Sequence, residues 1–174
     1  MTLRNILREA TAEQHRRLDA AAGGMRLDAP GGYGAFLVAQ ADALLPVERA
    51  LEDHDIARLL PDWSERRRAP PLLADLRELG LRTEPMRAPA FGCDAALWGA
   101  AYVLEGSRLG ARFLLPRVRG PVRFLSHGES RRLWQSFLAR LEAAPVAPER
   151  AVAAAKSVFR LFEQSFDRQM AAAA

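Results

Sequence analysis

The run Tyr102-Val103-Leu104-Glu105-Gly106-Ser107-Arg108-Leu109-Gly110-Ala111 decides how this chain is read. Its apolar residues recur at helical spacing, yet two glycines interrupt it four residues apart. A mid-helix glycine is about 1 kcal/mol less favourable than alanine, so two on one face need a reason. Either the missing Cβ atoms let another helix approach closely, or a flat ligand lies against the bare backbone of a kinked helix. The spacing alone favours packing. The ligand reading needs a partner residue elsewhere in the chain.

Helical patterning continues on both sides of this run. Asp94 can cap the helix that carries the glycines, which should reach about Leu115 before Pro116 and Pro121 end it. Thr2 can cap a first helix to about Ala22, with the stripe Leu3, Leu7, Ala10 and Leu18 and the stop Gly23-Gly24. A second helix reads from about Tyr33 to Asp53, with Pro46 expected to bend or divide it. Residues 54 to 69 read as loop or a short turn anchored by Trp63, and the triplet Arg66-Arg67-Arg68 as a solvated part of it. Pro71 to Leu79 reads as a short helix ended by Gly80, and residues 81 to 91 as a connecting loop. Further helices are expected from Ser126 to about Ala143 and from Pro148 to about Met170, with the closing alanines frayed. Strand alternation is nearly absent, and no repeat or linker divides the chain. The expectation is one all-α domain over residues 1–174.

Composition agrees with a packed core. The chain has 174 residues, 49% hydrophobic and 26% charged, which suits a single globular domain rather than disorder. No run approaches the roughly 18 apolar residues of a membrane span, and the first residues lack a secretory-signal pattern. A cytoplasmic location is the expectation. Cys93 is the only cysteine, so an internal disulfide or a cysteine-rich zinc site is excluded, and a small buried residue is expected there. The formal charge is +4, from 25 basic and 21 acidic residues, with Lys156 the only lysine. The arginines are scattered among acids without a nucleic-acid-binding signature, so no nucleic acid partner is expected. A mildly basic surface suits an anionic ligand or an acidic protein partner.

Chemistry-bearing side chains are few. His54 follows a helix end and His127 precedes a helix start, so both read as surface or capping residues. His15 lies inside the first helix, about 80° from Leu7 and about 60° from Leu18 around the axis. That edge of the apolar stripe lets an imidazole nitrogen point into a pocket, although a half-buried structural histidine fits the position equally. The chain has no GxGxxG, phosphate-loop, HExxH or GxSxG pattern. It also lacks the Glu-x-x-His pairs of a di-iron bundle.

Taken together, the two features are more specific than either one. Leu7-Arg8-Glu9-Ala10-Thr11-Ala12-Glu13-Gln14-His15, continuing to Leu18-Asp19, resembles the first helix of the haem (heme) oxygenases. Tyr102 to Ser107 with Leu109-Gly110 is similar to the distal helix of their bacterial branch, which includes the enzymes that serve bacteriophytochromes. Residues 156 to 162 loosely resemble the last core helix. The resemblance implies a multi-helix bundle with heme held between a proximal and a distal helix. Heme would be both cofactor and substrate, cleaved to biliverdin, CO and iron. It implies His15 as iron ligand, Gly106, Ser107 and Gly110 on the oxygen side, and Arg8, Arg131 and Phe159 as heme-binding residues. It also implies an external electron donor such as a ferredoxin or reductase, and a bilin-using photoreceptor as a further partner. Arg108 and Ala111 depart from the family pattern and are expected to crowd the distal side. A heme carrier, a cofactor-free interaction module and a thiaminase-like enzyme are the alternatives.

Overall fold

The computed structural model describes residues 1–29, 31–127 and 131–172, with the backbone alone at residue 131. Among these residues the chain forms no strand and nine α-helices. They are α1 Leu3–Ala10, α2 Ala12–Gly24, α3 Gly32–Asp53, α4 Trp63–Arg66, α5 Ala69–Glu78, α6 Asp94–Leu114, α7 Arg123–Ser126, α8 Arg131–Ala143 and α9 Pro148–Ala172. The expected all-α class is what forms. None of these helices is long and apolar enough to cross a membrane.

The N-terminal segment is two helices rather than one. Thr2 caps α1 as expected, its hydroxyl accepting from the Asn5 amide at 3.3 Å. At Thr11 the helix breaks, because the buried Thr11 hydroxyl donates to the Leu7 carbonyl at 2.7 Å. Such back-bonding by threonine bends helices. Pro46 does not divide its helix, since α3 runs through it from Gly32 to Asp53. Proline has no amide to offer the Asp42 carbonyl one turn earlier. The Met86 amide takes that carbonyl at 2.8 Å, so nothing is orphaned. Asp94 opens α6 without capping it and pairs with Arg58 at 2.7 and 2.9 Å instead. The fraying expected of the last alanines falls partly on residues 173 and 174, outside the described residues.

The core is built around α9, which packs along α6, α3, α2 and α1. Ser165 on α9 fastens this helix to α3 by donating to the Ala39 carbonyl at 2.7 Å. The crossing of α6 and α9 depends on a glycine that periodicity does not reveal. A Cβ built on Gly99 would lie 2.0 Å from the Ala151 carbonyl oxygen. The two backbones therefore touch there, at the point where only glycine permits it.

The arginine triplet is not a solvated loop. Arg66 is 1% exposed and Arg68 is 3% exposed. A buried guanidinium must find several acceptors at once. Arg66 reaches Asp62 at 2.7 Å, Glu105 at 2.6 Å, the Leu133 carbonyl at 2.9 Å and the Ser136 hydroxyl at 2.7 Å. It thus joins α4, α6 and α8. Arg108 bonds the other Glu105 oxygen at 2.9 Å and also donates to the Arg66 carbonyl. Glu48 on α3 is buried and accepts from the amides of Arg68 and Ala69 at 2.8 and 3.0 Å, capping α5. Burial pushes the Glu48 carboxyl upward despite these bonds.

His127 belongs to this cluster rather than to the surface. Its Nδ1 lies 3.3 Å from the Arg108 guanidinium. Guanidinium only donates, so Nδ1 accepts and the ring is neutral. Burial first, then the charges of Arg108 and Arg68, push its pKa below the ordinary value of 6.5, with Glu105 opposing.

Two outcomes follow from this packing. Gly99→Ala should lower stability by about 1–3 kcal/mol in urea unfolding, because overpacking outweighs the propensity gain. For His127, the unfolded chain binds a proton more readily than the folded one. Its contribution is therefore fully present above pH 6.5 and is lost as the pH falls below that value. His127→Gln should flatten the decline of the urea midpoint between neutral and mildly acid pH.

Candidate functional site

The Thr11 break sets where His15 stands. Its amide bonds the Thr11 carbonyl at 2.9 Å, in the first full turn of α2. The His15 side chain is 60% exposed, and its Nδ1 is 2.9 Å from the Asp19 carboxylate, one turn further on. A carboxylate accepts, so Nδ1 carries a proton, and it is Nε2 that the neutral ring would offer to a ligand. The ring meets the buried Phe159 of α9 edge-on at 6.1 Å. One nitrogen is thus tethered, the ring is held against α9, and the other nitrogen is left for a ligand.

The glycines of α6 are not packing glycines. Among the described residues, a Cβ on Gly110 would meet nothing within 4 Å, and one on Gly106 would only reach the Trp134 ring at 4.0 Å. Gly99 and Tyr102 share their face of the helix, as residues three and four apart do. The face is closed against α9 at Gly99 and open at Gly110, so it forms a wedge. Leu109 and Phe113 border the open end, with Phe113 80% exposed. The packing reading of the glycine spacing therefore fails here. The close approach belongs to Gly99.

Tyr102 joins the wedge to the histidine helix. Its half-buried hydroxyl lies near Thr11 and feels the charges of Arg4 and Arg8. Burial raises its pKa while those three neighbours oppose the rise. Arg4 and Arg8 are one turn apart on α1, and neither is in an ion pair among the described residues. The structure thus gathers Arg4, Arg8 and Tyr102 at the junction of α1, α2 and α6, beside the glycine face. Tyr102 sits four residues before Gly106 and Asp19 four after His15. The i,i+4 spacing was the available signal for both.

The other expected site residues fall in different places. Ser107 turns its hydroxyl away from the glycines, donating to the Leu104 carbonyl at 2.8 Å and accepting from Arg68 at 2.5 Å. Arg108 is buried in the ion cluster behind the helix and does not crowd the open face. Ala111 is buried as well. Arg131 begins α8, and its side chain lies outside the described residues. No group of three potential metal-ligating side chains occurs among the described residues. Two shallow recesses, one beside Trp63 and Arg67 and one beside Tyr33 and Arg119, lie away from this face.

No family model matches the chain. Over 126 residues, 66% of this chain and 76% of the relative, it is 33% identical to a heme oxygenase of Xanthomonas campestris pv. campestris (strain 8004). In three dimensions it is similar to a Neisseria meningitidis heme oxygenase solved with NO and CO bound. The TM-score is 0.85 at 22% identity, covering 98% of this chain and 93% of that one. The fold is thus shared along nearly the whole chain, and the chain belongs to the heme oxygenase family.

Proposed function

We propose that the chain cleaves heme to biliverdin, CO and iron, using O2 and electrons from an external donor. One observation carries the reading. Among the described residues the α6 face is open at Gly110, and Tyr102 of that same face lies near Thr11, where the helix of His15 begins.

The residues present fit the group. A flat macrocycle with two carboxylates needs a metal-binding nitrogen, a bare backbone, apolar flanks and cations. His15 offers Nε2, with Asp19 holding its other nitrogen. Gly106 and Gly110 offer backbone without side chains, and Leu109 and Phe113 add exposed apolar surface beside them. Arg4, Arg8 and Tyr102 are donors for carboxylates, and Arg131 is assigned to the same task. When bound, heme supplies the iron centre at which O2 is activated against the porphyrin edge. The chain's part is to ligate, orient and confine. His15 would hold the group through Nε2, with its imidazole resting edge-on against Phe159. Gly106 and Gly110 would let the α6 backbone lie close to it without a side chain between them. The Ser107 hydroxyl would take no direct part, because it is committed to Leu104 and Arg68.

The site is assigned to the cytoplasm, where an acidic ferredoxin or a reductase can meet the basic surface. A bilin-using photoreceptor is the consumer that the bacterial resemblance brings in.

Adding heme to the apoprotein should give a sharp Soret band that saturates at one equivalent, and His15→Ala should abolish or shift it. An unchanged spectrum in His15→Ala removes the ligand assignment. Ascorbate or a ferredoxin system should then produce a bilin absorbance; binding without bilin indicates a heme carrier. Gly110→Ala should stabilise the apoprotein by up to about 1 kcal/mol through helix propensity. The same methyl group should weaken heme binding roughly tenfold, a loss of about 1.4 kcal/mol. Titrations of heme into both proteins check this opposition.

A further inference from the structure

Arg68 is an expensive residue that the reaction as described above does not use. It is almost fully buried, yet among the described residues its side chain is in no ion pair. Its donors go to neutral groups of α6, the Leu104 carbonyl at 3.0 Å and the Ser107 hydroxyl at 2.5 Å. Its Nε is buried without a partner, and its guanidinium lies 5.1 Å from the Phe124 ring centre. A buried cation spent on uncharged acceptors destabilises the fold unless it does something there.

The Leu104 carbonyl receives more than its share of donors. Helix geometry offers it the Arg108 amide. Arg68 and the Ser107 hydroxyl also donate to it, the latter at 2.8 Å. Competing donors draw a carbonyl outward and bend the helix at that point. On a 100° wheel, Leu104 and Ser107 centre about 110° from the mean direction of Gly106 and Gly110. The pull thus acts mostly across the glycine direction and partly away from it, so it sets how the glycine backbone is turned and how far it stands out.

We propose that Arg68 is a positioning residue for the distal face: by holding the Leu104 carbonyl and the Ser107 hydroxyl, it sets the distance between the Gly106/Gly110 backbone and the bound macrocycle. This rests on the heme-cleavage reading for its ligand, but its lever is a property of the apoprotein. Burial, then the neighbouring Arg108 charge, pushes the Arg68 guanidinium down to about 9. That is a side chain kept where charge is unwelcome.

The test uses Arg68→Lys, Arg68→Met and Ser107→Ala in the full chain. In the apoproteins, hydrogen exchange of the amides from 106 to 112 should quicken at least tenfold in Arg68→Met, with helical circular dichroism retained. With heme and carbon monoxide, the Soret band and one-to-one stoichiometry should persist while the C–O stretch shifts. Ser107→Ala should shift it in the same direction by less, and Arg68→Lys should recover part of the wild-type value. Folded Arg68 variants with unchanged exchange and an unchanged C–O stretch overturn the proposal. Should Arg68→Met not fold, Ser107→Ala decides by the same two readings. A wild-type protein that takes up no heme overturns the functional reading alone, and the exchange arm still judges the lever.

Discussion

Glu105 between Arg66 and Arg108 is the contact on which the rest of the site depends. Its carboxylate is buried, and each oxygen meets a different buried guanidinium. Buried ion pairs are weak arguments for stability, because desolvation consumes much of the attraction. What this one provides is rotation. A turn of α6 by one residue, about 100°, would take Glu105 away from Arg66 and Arg108 away from the Arg66 carbonyl, while the Glu105–Arg108 pair turned with the helix. These two cross-helix contacts favour one orientation, and it is the one that leaves Gly106 and Gly110 bare. Charge on the back of the helix specifies emptiness on its front.

The second constraint is steric. At Gly99 the backbones of α6 and α9 meet so closely that no side chain fits between them. Further along, the same face of α6 has nothing against Gly110 among the described residues. A helix pinned at one end and free at the other makes a cleft without any loop having to close. Phe159 on α9 and His15 on α2 meet edge to face, and Tyr102 brings α6 beside Thr11 at the α1–α2 junction. The cleft is thus built from three rigid helices and the break between two of them.

The helices themselves were legible because amphipathic periodicity and local stop signals carry them. Thr2, Gly24 and Gly80 end or begin helices as their chemistry dictates. What was not legible is long-range. Arg66-Arg67-Arg68 looks solvated in any window, because its acceptors on α6 and α8 lie far along the chain. Gly99 hides among small residues, and only the crossing of two helices reveals its role. Arg108 looked like an obstruction because spacing cannot say which side of the helix its partners occupy. His15 and the glycine pair stand out only in combination, and Gly106 and Gly110 do not make the close helix contact that GxxxG spacing suggests.

Pro46 carries a consequence for how this chain can vary. By withholding its amide it leaves the Asp42 carbonyl to Met86, while the Asp42 side chain accepts from the Glu84 amide at 2.6 Å and from Arg168. One residue of α3 thereby moors both the proline-containing connector and the end of α9. Any residue other than proline at 46 brings back an amide that contests an oxygen already taken. The helix and the connector are therefore not independent under substitution. An imino acid, usually read as a flaw in a helix, here acts as the empty berth at which a distant segment docks.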